Sequence, residues 1–160
     1  MKYGYDMSPA EASGAVETMR HKCRVSEFLG LFVMQVLSRA SEHDNSKVGP
    51  EELTGFGEAT ARLKGLTYGS PEYEASAEDL KVLIKGHYSR NSHHVEHHEN
   101  GINDFDLFDL VEMLADWKAA TERHDDGDLG TSITKNAASK NITPQLKGIL
   151  RNTAEFMGWL

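Results

Sequence analysis

Five of the chain's eight histidines lie in one run, "HYSRNSHHVEHH", from His87 to His98. An adjacent pair, His43-Asp44, stands upstream; His21 precedes it and Asp116 follows. Neutral imidazole is the commonest protein metal ligand, and a neighbouring carboxylate adds an anionic oxygen that can bridge two ions or orient a water. A mixed nitrogen and oxygen set suits divalent Mn, Fe, Co, Ni or Zn. A histidine tag would sit at a terminus, and this run is internal. The plainer readings are a solvated polar loop, hydrogen-bonded core histidines and an aspartate that caps a helix.

The elements that must position these residues read as helices, with no convincing strand. "SPAE" at Ser8–Glu11 supplies a capping serine, a proline at the first helical position and a glutamate that reaches back. A long helix is expected to about Ser38, with Val25, Phe28, Leu29, Phe32 and Val36 at three- and four-residue spacing. His21 belongs to that stripe and is expected to face inward. A second helix is expected from Gly49-Pro50 to "LKGLTYGS", with Glu51 and Glu52 as first-turn acids suited to the dipole. "TYGS" is turn chemistry and lacks the spacing of a phosphate-binding loop. A third helix starts at Ser70-Pro71 and puts His87 on the apolar face of Leu80, Leu83 and Ile84. The rest of the histidine run reads as a loop with a short helical turn. Asp106 caps a fourth helix whose core face is Leu107, Leu110, Val111 and Leu114. Periodicity alone assigns Asp109, Glu112 and Asp116 to solvent. Thr143-Pro144 opens a last helix with Leu146, Ile149, Leu150 and Phe156 on one face. The fold class expected is all-α, a helical bundle forming one domain over residues 1–160.

The ordered set His21, His43-Asp44, Asp116 resembles the HD superfamily of metal-dependent phosphohydrolases. More narrowly, "HDNSK", "PEE", "LKGLTYGSPEY", "HYSRNSHHVEHHENGIND" and "LVEMLADWKAATERH" resemble a phage and bacterial family of unknown function, over nearly the whole chain from His21 onward. Val95 departs from that family's pattern, which tends to have proline there; loop stiffness should change more than chemistry. The resemblance implies that His21, His43, Asp44 and Asp116 hold one divalent ion, and that the acidic face of the fourth helix turns towards it. It also fits His87 and one of His93 and His94, with His94 preferred, as ligands of a second ion. The step from such a site to phosphohydrolase chemistry is analogy.

The implied mechanism is in-line attack on phosphorus by a metal-activated hydroxide, with a nucleotide as the preferred substrate. Two histidines and two aspartates around one dication leave no net charge, so a phosphate needs further cations. Lys47, about one helical turn after Asp44, and Arg90 can supply them, with Asn91 as a further contact. A solvated lysine is the plain alternative. A di-iron oxygenase on the HD fold and a metal-stabilised module without turnover are competing readings. His97 and His98 are expected at the surface or behind the ligands, His124 at a helix C-terminus, and Trp117 and Tyr88 in the core.

Composition bounds these readings. At 160 residues, 39% hydrophobic and 26% charged, the chain has the make-up of a globular domain. A net charge of −8 argues against blanket neutralisation of nucleic-acid phosphates. No stretch is apolar enough for a membrane span, and the N-terminus lacks a signal-peptide core. The single cysteine, Cys23, excludes an internal disulfide and reads as a buried thiol in a reducing, cytoplasmic setting. The partners expected are a small phosphate substrate and, at most, further copies of the chain in a homo-oligomer.

Overall fold

The computed structural model describes residues 6–63, 71–123 and 127–160, leaving aside the side chains of 60, 63 and 72–79. Those residues are all-α, without a strand. Six α-helices follow in order: α1 Pro9–Glu42, α2 Leu53–Leu63, α3 Pro71–Arg90, α4 Leu107–Thr121, α5 Leu129–Ser139 and α6 Pro144–Phe156. Short 3-10 turns at Asn45–Val48, Val95–His97 and Gly101–Asp104 lie between them. No helix is long and apolar enough to cross a membrane. His124 and most of "LKGLTYGS" lie outside the described residues.

The chain divides into two units, Met1–Ser38 and Arg39–Leu160. The described part of the first is the body of α1. It opens on the expected reciprocal cap: Ser8 N–H donates to Glu11 Oε2 at 2.8 Å, and Glu11 N–H to Ser8 Oγ at 3.3 Å. Contrary to the expected inward stripe, α1 contains no buried residue, and Cys23 is exposed rather than a core thiol. The reason lies in the sequence. From Phe28 to Leu37 apolar residues occur on every side of the helix, so three- and four-residue spacing defines no single face there.

The second unit has its own core. Met113 and Trp117 of α4, Leu129, Ile133 and Ala137 of α5, and Leu150 and Ala154 of α6 repeat at four-residue intervals and bury together. Here α5 packs against α4 and α6, while α2 packs against α3. Helix α5 was not foreseen, although Asp128 caps it by accepting from Thr131 N–H at 2.6 Å. Of the foreseen core faces of α4 and α6, Leu114 and Leu150 are buried and Leu110 and Leu146 pack against the core, whereas Leu107, Val111, Ile149 and Phe156 are exposed. Asp109 of α4 is buried, so the acidic side of α4 turns inward.

Candidate metal centre

α1 ends at Glu42, and the chain reverses at Asp44, whose backbone is left-handed at φ 55°. Glycine favours that position, and aspartate and asparagine are the side chains that enter it most readily. The turn accompanies a specific placement. Asp44 Oδ1 lies 3.1 Å from His87 Nε2 and 3.7 Å from His93 Nε2. His87 Nε2 lies 3.1 Å from His94 Nε2. His87 comes from the last turn of α3, and His93 and His94 from the bend after it, which doubles back against the helix end.

Three groups of His, Asp and Glu atoms among the described residues cluster within 4.8 Å and can hold a metal ion. They are Asp44 with His87, His93 and His94; His43 with His93 and Glu112; and His43 with Asp44 and Asp116. Two observations make the first group the best fit. Asp44 Oδ1 and His93 Nε2 are buried without a hydrogen-bond partner, a costly arrangement for polar atoms. A cation between them would satisfy both. In addition, the far nitrogens of two of the histidines are tied to carboxylates, which leaves Nε2 of each free to coordinate.

These carboxylates come from residues that spacing alone did not single out as supports. Glu52, in the turn before α2, is fully buried and lies 3.0 Å from His87 Nδ1. Burial opposes its charge, but Arg90, His87 and Ser46 hydrogen-bond to it and hold the carboxyl below its usual range. An ionised Glu52 therefore accepts the Nδ1 proton of His87. Glu112 of α4 stands 2.8 Å from Nδ1 of His93 and 2.8 Å from Nδ1 of His43. Its other oxygen accepts from Arg39 Nε at 2.7 Å. Against its own burial, the hydrogen bonds of His43 and His93 keep Glu112 well below the carboxylate range. Arg39 in turn binds Asp109 at 2.5 Å, and Ser92 donates to the same Asp109 oxygen at 2.7 Å.

The two sides of the cluster differ in charge. Burial, then His93 and His87, push His94 down to about 4, and burial and Lys47 lower His87. Both are neutral near pH 7, as a ligand must be. His43 is pushed up to about 10 by Asp116, 3.7 Å from Nε2, and by Glu112. Lys47 Nζ sits 2.5 Å from Asp44 Oδ2.

The expected site residues therefore divide. His43, Asp44, His87, His94 and Asp116 come together, and His93 joins them as a full member where a choice between it and His94 was expected. Lys47 is at the cluster's edge. Arg90, expected at a phosphate, instead donates from Nε to Glu52 at 2.7 Å and faces Glu51 at 3.5 Å. Asn91 donates to Ser46 Oγ at 2.9 Å and to the His87 carbonyl at 2.8 Å, so it braces the end of α3. His21 is exposed, lies in the first unit, and enters none of the three groups. His97 is exposed, and half-buried His98 contacts the Ser92 carbonyl at 2.9 Å. Trp117 is in the core as expected, and Tyr88 stacks beside His94 with ring centres 4.3 Å apart.

Residues 10–156 match the model of a family of unknown function, DUF5662. The chain belongs to this family. No curated protein and no solved structure matches it. The span that matches DUF5662 includes every residue of the three groups and both supporting glutamates.

Proposed function

We propose that this DUF5662 chain is a metal-dependent phosphohydrolase acting on a small phosphoester, with a nucleotide as the preferred substrate class. The observation that carries the reading is the convergence of Asp44 Oδ1 with Nε2 of His87, His93 and His94, with two of these atoms buried and unpartnered. One carboxylate and three neutral imidazoles leave a dication with net positive charge, which attracts an anion. The set of two histidines and two aspartates expected from the HD resemblance would have left none. Imidazole-rich coordination suits Zn, Fe, Co or Ni, and the carboxylate also admits Mn. His43, Asp44 and Asp116 would hold a second ion if one binds.

Asp44, His87, His93 and His94 would hold a divalent ion, which would supply an acidified water and a Lewis acid for a phosphoryl oxygen. The chain's own residues bind and orient. His87 and His93 are only 2% exposed, while His43, Asp116 and Lys47 are 29%, 25% and 34% exposed. The substrate therefore enters over His43, Asp116 and Lys47. Lys47 can exchange its contact with Asp44 for a phosphate oxygen. Arg90 acts as a positioning residue: it holds Glu52, which holds His87. The HD resemblance supports the same chemistry by placing His43-Asp44 and Asp116 among its ligands.

The test is metal analysis of protein purified without added metal, followed by a panel of nucleotides and phosphoesters with Mn, Co, Mg, Ni and Zn. Metal uptake and product release, both abolished by Asp44→Ala, support the reading. Bound metal with no product across the panel would leave a binding module. Tightly bound iron with oxygen consumption would leave the oxygenase.

A further inference from the structure

We infer that the phenolic hydroxyl of Tyr88 is a substrate-binding group, donating a hydrogen bond to a phosphoryl oxygen held at the candidate metal centre; this rests on the reading of that centre as a phosphoester site. Expected in the core, Tyr88 is instead half-buried in the last turn of α3, next to His87. Its ring lies against that of His94, with centres 4.3 Å apart and 44° between the planes, and 6.1 Å from that of His87. Both histidines belong to the group that best fits a metal ion. A tyrosine in such contact offers its neighbours an apolar body and carries a polar tip that takes a hydrogen-bond partner.

That tip has no partner in the chain. Among the described residues Tyr88 Oη makes no hydrogen bond, and it is not one of the buried unpartnered atoms, so it opens to solvent. The other uncharged donors around the cluster are committed. Ser46 Oγ donates to Glu52 at 3.0 Å, and Ser92 Oγ to Asp109 at 2.7 Å. Asn91 Nδ2 donates to Ser46 Oγ at 2.9 Å and to the His87 carbonyl at 2.8 Å. Burial first, then the charges of Glu96 and Asp116, push the phenol up, so at neutral pH it is a donor. Asp116 is on the open side of the cluster, 25% exposed. An anion arriving there needs donors that offset this carboxylate. Lys47 supplies one from beside Asp44, and Tyr88 supplies another from beside His94. Asp44 and His94 are members of one group, so a phosphate held there meets a charged donor at one member and a neutral donor at the other. Hydrogen bonds to an ionised acceptor are the stronger kind.

Calorimetric titration of inorganic phosphate into the full chain saturated with Zn tests the inference, in wild type and in Tyr88→Phe. Phenylalanine keeps the ring on His94 and deletes only the hydroxyl. The variant should bind phosphate about 10- to 100-fold more weakly, the range for a hydrogen bond to a charged group. Its Zn stoichiometry and unfolding temperature should match wild type, which a packing role for the hydroxyl would not allow together with the lost affinity. A loss of phosphate affinity below about threefold in Tyr88→Phe, too small for such a bond, overturns the inference and leaves the phosphohydrolase reading standing. Loss of Zn from Tyr88→Phe overturns it as well, because the hydroxyl would then serve the metal site. Wild-type protein that binds no phosphate also overturns it; if that protein releases no product from any phosphoester of the panel, the phosphohydrolase reading falls with it.

Discussion

Replacing Glu112 with glutamine tests whether the imidazoles are oriented for a metal. One Glu112 oxygen stands 2.8 Å from both His93 Nδ1 and His43 Nδ1, and the other accepts from Arg39 at 2.7 Å. All three neighbours are donors to it, and a carboxylate satisfies them all. A glutamine side chain has one acceptor oxygen and one NH2 group. Either the NH2 faces Arg39, or it faces the histidines and drives their protons towards Nε2. In the second case His93 stops being a ligand. In the first its basicity falls because the charge behind it is gone. Losing such a partner typically costs 10- to 100-fold in metal affinity, or about 1.4 to 2.7 kcal/mol. The assay is competition for Zn or Co against a chelating dye. Asp109→Asn is the control, since Asp109 binds Arg39 and Ser92 but no ligand of the first group. It should lower the unfolding temperature and leave metal affinity within threefold. Wild-type affinity in Glu112→Gln would refute the orientation argument, and so would an equal loss in Asp109→Asn.

Three further outcomes are expected. Asp44 is left-handed at φ 55°, so Asp44→Gly and Asp44→Ala should both lose metal, while the glycine variant is the more stable by about 1 kcal/mol in urea unfolding; an alanine variant of equal stability would remove the argument from the left-handed backbone. His43 is raised to about 10 from 6.5, so its contribution is complete below pH 6.5 and is lost as pH rises through about 10; the metal-free protein should melt lower at pH 10 than at pH 7, and His43→Gln should flatten that decline. Lys47→Met should weaken a phosphoester substrate by roughly 1.5 to 3 kcal/mol in KM with metal content unchanged, whereas Arg90→Met should lower metal affinity through Glu52 and His87; the opposite pattern would return Arg90 to the substrate.

What was legible in the sequence follows from how each signal is encoded. Caps are local, so Ser8, Asp106 and Thr143 marked helix starts correctly. The residues of the candidate metal centre stood out by residue type, because clustered histidines beside an aspartate have few structural uses. Their supports did not. Glu52 opens the approach to α2 with Glu51, and a glutamate pair at a helix start reads as a dipole partner; nothing local distinguishes the one that is fully buried from the one in solvent. Glu112 and Asp116 lie one turn apart on α4, on the face that hydrophobic periodicity gives to water. That rule assumes the buried face is apolar. It fails here because four imidazoles and the Arg39 guanidinium provide a polar interior in which ionised carboxylates are satisfied.

The same reasoning explains the misread register of α4. Met113, Leu114 and Trp117 form the buried stripe, which shares only Leu114 with the one drawn through Leu107, Leu110, Val111 and Leu114. The helix is wedged between two interiors, an apolar one against α5 and a polar one at the histidines. Asp109 belongs to the polar side: it is buried, accepts from Arg39 and Ser92, and closes the capping box with Asp106. A helix with two buried faces leaves only a strip for solvent, and Leu107 and Val111 fall on that strip. Rotating α4 back to bury them would withdraw Glu112 from both imidazoles and strand Arg39. The hydrophobic gain from two side chains, about 1.5 to 3 kcal/mol each, would be set against breaking buried ion pairs at about 3 to 5 kcal/mol apiece. The polar contacts win, and the orientation of α4 is set by the candidate metal centre together with Met113, Leu114 and Trp117, at the expense of Leu107 and Val111.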